Sequence, residues 1–420
     1  MTNAARTATP HAYPLIVHSH LRWDFVWQRP QQILSRFGLS HPVLFVEEPV
    51  FADDLAMGTL DVTIACSGVH RVVPRLPGSL RSSHDYAATT VRSLLLQLLG
   101  GRGAFAGMFG NAVQWFYTPM PAPVMIGAFR ERGTVYDCMD ELAQFRFAPP
   151  ELTQREQFLM SRADVVFTGG RQLYESKSRR HTNVHFFGCG VDADHFARAS
   201  RSHTPIAEEV RELPHPILGY VGVVDERLDY GLIEYLAHRF ATGSIVLVGP
   251  TAKVDRSELP QRRNIHWLGQ QPYSRLPEYV KGFDICLMPF ALNEATQYIN
   301  PTKTLEYMAA ARPIVSTAVP DVVRNFAPVV RVAHTVPGFA DAVSAALVPD
   351  PARIDAGLAL ASAATWESIV SAMDGLILQA LRDQRRVRVE PQVVARPRRP
   401  ASPGGSPRGE VRGDDEAIVA

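Results

Sequence analysis

Two doubly wound α/β halves of similar size, facing each other across a cleft, are what this 420-residue sequence predicts. Three observations carry that expectation. Apolar runs of strand length alternate with helical stretches, and they do so in two successive series. A polar stretch, 197–215, separates the series and holds Arg198, Arg201, Pro205, Glu208, Glu209 and Pro214. Hydrophobic residues make up 46% of the chain, enough to fill a core in each half.

The first series opens with the run 13–18, read as a buried strand. A polar and aromatic loop follows, then a helix starting near Pro30 and a strand at 43–47. That is a βαβ unit, the seed of a parallel sheet. Further strands are expected at 69–74, 113–117, 135–138, 165–168 and 184–187, with helices at 84–99 and 150–162. The second series places strands at 217–224, 244–248, 264–268, 284–289 and 313–316. The expected organisation is a leader over 1–12, a first half over 13–196, a linker over 197–215, a second half over 216–384 and a disordered tail over 385–420. Ligands of doubly wound sheets sit beyond the carboxyl ends of the strands, so a cleft between the halves is the expected site.

Charge narrows the partners. The chain carries 43 basic and 42 acidic residues, a balance that gives no reason to expect nucleic acid. The tail is different: from Gln384 on, eight arginines stand against five acids, among prolines and a Gly-Ser-Pro run. Such a tail is either simply solvated or able to touch anionic lipid head groups. The first residues lack the apolar run of a signal peptide, and no uncharged run reaches membrane-spanning length. The greasiest stretch, 91–99, reads as a core helix or, alternatively, one lying on a membrane surface. Cys66, Cys138, Cys189 and Cys286 are widely spaced, with neither a metal-ligand pattern nor a disulfide framework. They read as reduced core thiols, so the expected location is cytoplasmic, with peripheral contact at the inner membrane face as an extension of it.

The most informative segment is Asn300-Pro301-Thr302-Lys303-Thr304-Leu305-Glu306-Tyr307-Met308, just after the apolar run 284–290. Asn300 suits a helix N-cap and Pro301 the first helical position. Free N–H groups at such a helix start favour phosphate, Lys303 adds a cation, and Glu306 lies one turn on over the same face. A carboxylate there can accept hydrogen bonds from two ribose hydroxyls. The alternative is an ordinary capped helix with an internal Lys–Glu pair.

Other motifs point elsewhere on inspection. Gly188-Cys189-Gly190-Val191-Asp192-Ala193 fits the G-x-G-x-x-A dinucleotide pattern, yet no amphipathic helix follows it. Asp192-Ala193-Asp194 fits a D-x-D metal pattern without a second ligand cluster. Neither a P-loop nor a G-x-S-x-G elbow occurs.

Taken together, the segments resemble the GT-B-fold glycosyltransferases, specifically the retaining bacterial group that uses nucleotide-sugar donors. The stretch 187–192 with Phe196 is similar to that group's junction between domains, and Gly219-Tyr220-Val221-Gly222 to its first donor-domain strand and glycine turn. Leu268-Gly269, Leu276-Pro277, Tyr279, Asp284 and Pro289 follow in the order the family has them. The stretch 300–317 resembles its donor helix, and Thr365-Trp366 the start of a terminal helix that crosses back to the first domain. Three departures stand out. The family's first glutamate, separated by seven residues from the one that Glu306 matches, is replaced by Tyr298, with Glu294 four residues too early. Gly222 is followed by Val223 where an arginine is usual, leaving Arg227 as the nearby cation. The glycine that ends the donor helix is Ala311, for which a left-handed turn would cost about 1 kcal/mol, so a different turn is expected.

The resemblance implies a transferase moving a sugar from a nucleotide diphosphate sugar to a glycan, lipid-linked or other hydroxyl acceptor, in cell-surface or exported glycan synthesis. It implies no cofactor and no metal beyond that donor substrate. The donor would be held by Gly222, Arg227, Leu268, Asn300, Pro301, Thr302, Lys303 and Glu306. Lys303, Asp140 and His20 are the candidate catalytic groups. Trp23, Asp24 and Arg29, in the loop after the first strand, are candidates for the acceptor or the sugar; the alternative is a loop whose tryptophans, Trp27 above all, plug onto the core. Two rivals stay open: a nucleotide-sugar epimerase of the same fold, and a non-catalytic nucleotide- or sugar-binding protein.

Overall fold

The computed structural model describes residues 12–145, 147–294 and 296–389. The expected leader, apart from residue 12, and the tail beyond 389 lie outside the described residues. The first half is built on a nine-stranded sheet: β1 (Leu15–Ser19), β2 (Val43–Glu47), β3 (Val50–Ala52), β4 (Thr59–Cys66), β5 (Val69–Pro77), β6 (Val113–Phe116), β7 (Gly133–Cys138), β8 (Val165–Thr168) and β9 (Val184–Phe186). Their order is β3-β5-β2-β1-β6-β7-β8-β9, with β4 antiparallel on β5 and the other pairings parallel. The central strands are buried along their whole length, so they read as unbroken apolar runs. β3 and β4 lie outside the expected set. β4 alternates exposed and half-buried positions at the sheet edge and needs no apolar run.

The second half is a six-stranded parallel sheet: β10 (Ile217–Val221), β11 (Ser244–Val248), β12 (Ile265–Gly269), β13 (Ile285–Met288), β14 (Ile314–Thr317) and β15 (Arg331–Ala333). Its order, β12-β11-β10-β13-β14-β15, reverses between β10 and β13; the first sheet reverses between β1 and β6. Those two reversals open crevices at the strand ends, and they determine where ligands fit. The predicted fold class, two doubly wound halves, is what the chain adopts.

Each face of the first sheet has its own cover. Ala87, Val91 and Leu95 of the helix His84–Leu99 pack on one face, so the greasiest stretch lays one side on the core while Leu96 is 43% exposed. The terminal helix Trp366–Val389 covers the other, placing Trp366, Met373, Ile377 and Leu381 among Tyr13, Leu15, Val17 and Trp115. The Tyr13 hydroxyl donates to Asp374 at 2.6 Å, and Arg36 pairs with Glu367 at 2.6 Å. The helix crosses back as expected and runs five residues into the stretch assigned to the tail.

The chain passes between the halves twice, at one place. Val191 donates its N–H to the Ala364 carbonyl at 2.8 Å and forms a bridge with Thr365. Gly190 is required there: a Cβ would lie 2.8 Å from the Trp366 ring. The stretch 197–215 is no loose linker. Ala199, Ala207 and Val210 pack into the second core together with Phe196 just before it, because the short helix Glu208–Arg211 lays its one apolar side against that core.

Candidate functional site

The helix Lys303–Ala309 is buried from Thr304 to Ala309 and is seated firmly by its neighbours. The Tyr307 hydroxyl accepts from the Val221 N–H at 2.8 Å, tying the helix to the end of β10, and Thr304 donates to the Met288 sulfur at 3.4 Å. Lys303 and Glu306, three residues apart, turn the other way, toward the crevice at the β10/β13 reversal. Glu306 is 8% exposed. Burial pushes its carboxyl above the ordinary value, and Lys303 opposes that rise. Among the described residues no side chain or backbone group donates a hydrogen bond to this carboxylate, and Lys303 makes no ion pair.

Two glycines form the floor. A Cβ on Gly222 would lie 2.4 Å from Lys303 Cε and 2.4 Å from the Tyr220 hydroxyl; one on Gly249 would lie 1.9 Å from the Gly222 carbonyl oxygen. Strand ends β10 and β11 therefore approach backbone to backbone under the lysine. The half-open lobe has a volume of about 240 Å³ and is lined from the first half by the segment 23–27. The Tyr273 ring lies 5.9 Å from Trp27, and Gln32 donates to the Tyr273 hydroxyl at 3.0 Å.

A second lobe of about 380 Å³ adjoins the first, with Phe25 lining both. It brings His20 and Asp140 of the first half to face Arg227 and Lys253 of the second. Burial pushes the Asp140 carboxyl up to about 6; Arg227, Lys253 and Arg29 pull it down, and Asp225 adds to the rise. Burial, with Lys253 nearby, lowers His20 to about 4, so its ring is neutral. The Nδ1 of His20 is buried without a hydrogen-bond partner. Phe145 reaches across from the first half, with the Lys253 ammonium 4.5 Å and the Arg227 guanidinium 5.7 Å from its ring centre.

Several expected site residues do other work. Asn300 is not the N-cap: its amide donates to the Gly169 carbonyl of the first half at 3.2 Å, and the helix starts at Lys303. Pro301 therefore sits ahead of the helix, its carbonyl accepting from Thr304 N–H at 3.2 Å, while the Thr302 hydroxyl donates to Cys189 Sγ at 3.2 Å. Arg227 spends its charge on Asp225, with contacts of 2.7 to 3.1 Å, and lies in the Asp140 lobe rather than beside Lys303. Leu268 packs on the second core, and the lining at that point is Gln270 and Gln271. Arg29 is buried in a two-pronged pair with Asp137, 2.9 Å at closest, and donates to the Phe187 carbonyl at 2.9 Å, so it braces the loop from within. Trp23, 4% exposed, stacks edge-on against Phe45 in the first core and offers only an edge to the lobe. Asp24 does reach the lobe, with Arg71 as its ion partner. Tyr298 packs toward the first core and its carbonyl crowds Gly170, so that position joins the halves instead of facing a sugar. Ala311 keeps the left-handed turn, φ 53°, with Arg312 N–H closing onto the Tyr307 carbonyl at 3.1 Å. The expectation of a different turn is corrected: alanine carries the strain.

Lys253, Tyr273 and Phe145 were missed by sequence reasoning. Only Lys253 had a signal, a cation four residues beyond the glycine that ends β11.

With this geometry in view, known proteins can be compared. Residues 215–348 match the family Glycosyl transferases group 1. The putative teichuronic acid biosynthesis glycosyltransferase TuaH of Bacillus subtilis (strain 168) is 24% identical over 221 residues, 49% of this chain and 55% of that protein. The chain thus spans about half the length of the curated relative it matches. Among solved structures, sucrose-phosphate synthase from Thermosynechococcus elongatus aligns over 88% of this chain and 100% of its own, with a TM-score of 0.64 and 16% identity. An E. coli trehalose-6-phosphate structure bound with UDP-2-fluoro glucose aligns over 88% and 99%, at 0.62 and 11%. The fold is GT-B. The match to the group 1 glycosyltransferases falls on the half that carries Gly222, Lys303 and Glu306.

Proposed function

We propose that this protein transfers a sugar from a nucleotide diphosphate sugar to a hydroxyl acceptor. The observation that carries the reading is Glu306: a nearly buried carboxylate, without a protein donor among the described residues, facing the crevice beside Lys303. A buried carboxylate needs hydrogen-bond donors, and a ribose diol supplies two. Gly222 and Gly249 let the diphosphate approach the backbone, where Lys303 meets it. Negative charge on that phosphate grows as the glycosidic bond breaks, and a cation already in place stabilises it.

The acceptor hydroxyl belongs in the second lobe. Asp140 orients it by accepting its proton in a hydrogen bond, and neutral His20 is placed to bond a sugar hydroxyl. The likeness to the retaining group supports retention of configuration, with a leaving-phosphate oxygen taking the acceptor proton. An epimerase would need no acceptor space, so the second lobe favours transfer. Synthesis of a cell-surface or exported glycan is the role the teichuronic acid relative supports. The four free cysteines go with a cytoplasmic place for it. No helix among the described residues is long and apolar enough to cross a membrane. We expect turnover to persist in EDTA; Asp192 of the D-x-D caps the helix Ala193–Ala197 through the His195 N–H at 3.2 Å.

The test is calorimetric titration with uridine, guanosine and thymidine diphosphate sugars. Glu306→Gln replaces one acceptor by a donor and should weaken the donor that binds by about 1.5–3 kcal/mol, roughly 10- to 150-fold. Unchanged affinity would remove the ribose assignment.

A further inference from the structure

We propose that the acceptor carries an apolar unit about the size of a benzene ring, and that this unit seats in a separate pocket of the first half. The inference rests on reading the cleft as a transferase site and names the class of acceptor. The pocket, about 160 Å³, opens at the β1/β6 reversal, where a doubly wound sheet binds its ligand. Its walls are Ala87, Ala88 and Val91 of the helix His84–Leu99, with Val46, Phe51 and Met125.

The buried polar groups on those walls are already engaged. Glu47 accepts from the Trp23 N–H at 2.9 Å and from Arg71 at 2.6 Å with one oxygen, and from Arg22 at 3.1 Å with the other. His18 Nε2 is bonded to the Gln114 amide oxygen at 2.9 Å, and its ring stacks on Phe116. Burial holds His18 uncharged, near 4. Thr118 Oγ1 accepts from the Met120 N–H at 3.4 Å. Glu48 and His84, both exposed, complete the lining; the buried walls therefore offer an occupant mainly hydrocarbon, and a sugar hydroxyl buried against them would lose its water without replacement.

Continuity ties this pocket to the chemistry. Glu48, Thr118 and Met120 line both it and the lobe of Asp140 and His20. A hydroxyl held at Asp140 and an apolar group in the pocket thus belong to one molecule. A cavity of this order accommodates about one benzene ring.

The test uses the full chain and simple alcohols as probes: benzyl alcohol, 2-phenylethanol and the series ethanol to decan-1-ol, against glycerol and methyl glucoside. Affinities come from ligand-observed NMR titration, and UDP, GDP and TDP are titrated in parallel. The expected result is binding of the aryl alcohols about tenfold or more tighter than of the polar comparators. Gain along the alkyl series should stop near six or seven carbons. Ala88→Phe, which fills the pocket, and Val91→Thr, which keeps shape but adds a hydroxyl, should each weaken the aryl alcohols at least fivefold. Nucleotide affinity should stay within twofold. Equal binding of the polar comparators, or insensitivity to both variants, overturns the proposal. A gain that continues to decan-1-ol overturns the ring-sized limit in favour of a threading chain. If the alcohols behave as expected but no nucleotide binds, the pocket stands and the transferase reading falls; nucleotide binding without alcohol binding gives the reverse.

Discussion

Ala311 shows how much one side chain can hold against its own preference. Its left-handed conformation costs about 1 kcal/mol relative to glycine, and the turn survives because Arg312 closes it onto Tyr307. Ala311→Gly should raise the free energy of unfolding by about that amount, read from urea denaturation midpoints at constant slope. Asp140 gives a pH-dependent counterpart. Its folded value is about 6 against an ordinary 3.8, so the folded state holds the proton longer than the unfolded chain. The destabilisation is absent below about pH 4, grows as pH rises to about 6, and is constant above. Asp140→Asn should therefore unfold at a higher temperature than the parent at pH 7.5, with the gap closing toward pH 4. Turnover by the parent should rise through about pH 6 as the carboxylate forms, while His20, already neutral, adds no inflection above pH 5. Residues of this kind were legible as candidates because each stands just past a strand. Arg29 and Trp23 stand there too and turned inward. Sequence position fixes the end of the sheet a residue occupies, whereas the direction of its side chain depends on partners such as Asp137 and Phe45, more than 100 and more than 20 residues away.

At the level of elements, most strands that sequence reasoning found are buried along their length, and β5, β9 and β12 were found although they are only partly buried. Those it missed, β3, β4 and β15, are short or lie at edges, where half-buried positions break the apolar run. The helix Lys303–Ala309 was found two residues early because Asn300 and Pro301 carry the marks of a helix start; the tertiary bond from Asn300 to Gly169 competes successfully with capping. The turn after β10 makes the functional prediction at this scale. Gly222→Ala would drive a methyl group against Lys303 Cε and against the hydroxyl of the buried Tyr220, each at 2.4 Å, so the lysine and the turn must both shift. The lysine would be displaced from the lobe. Nucleoside diphosphate affinity should fall about tenfold, a loss of roughly 1.4 kcal/mol, and the thermal midpoint should fall with it because the methyl group also meets Tyr220. Parent-like affinity in Gly222→Ala would detach Lys303 from the diphosphate.

For the molecule as a whole, the first half is incomplete without the last helix. Trp366, Met373, Ile377 and Leu381 belong to its core, so a chain ending at residue 364 leaves that face of the sheet bare. Such a truncation should lose cooperative unfolding in the first half and bind hydrophobic dyes, while residues 191–364 keep a near-native circular dichroism signal. A parent-like melting curve for the truncated chain would show the helix to be dispensable. The paired passage of the chain at Val191 and Thr365 has a kinematic consequence. A single tether would let two bodies swing, slide and twist; two tethers side by side leave mainly a rotation about the line they share. The protein should gape like a jaw, with travel growing with distance from that line, and shut again in the same register. Lys303 and Asp140 ride on opposite jaws, so under the proposed function each closure would return donor and acceptor to the same alignment.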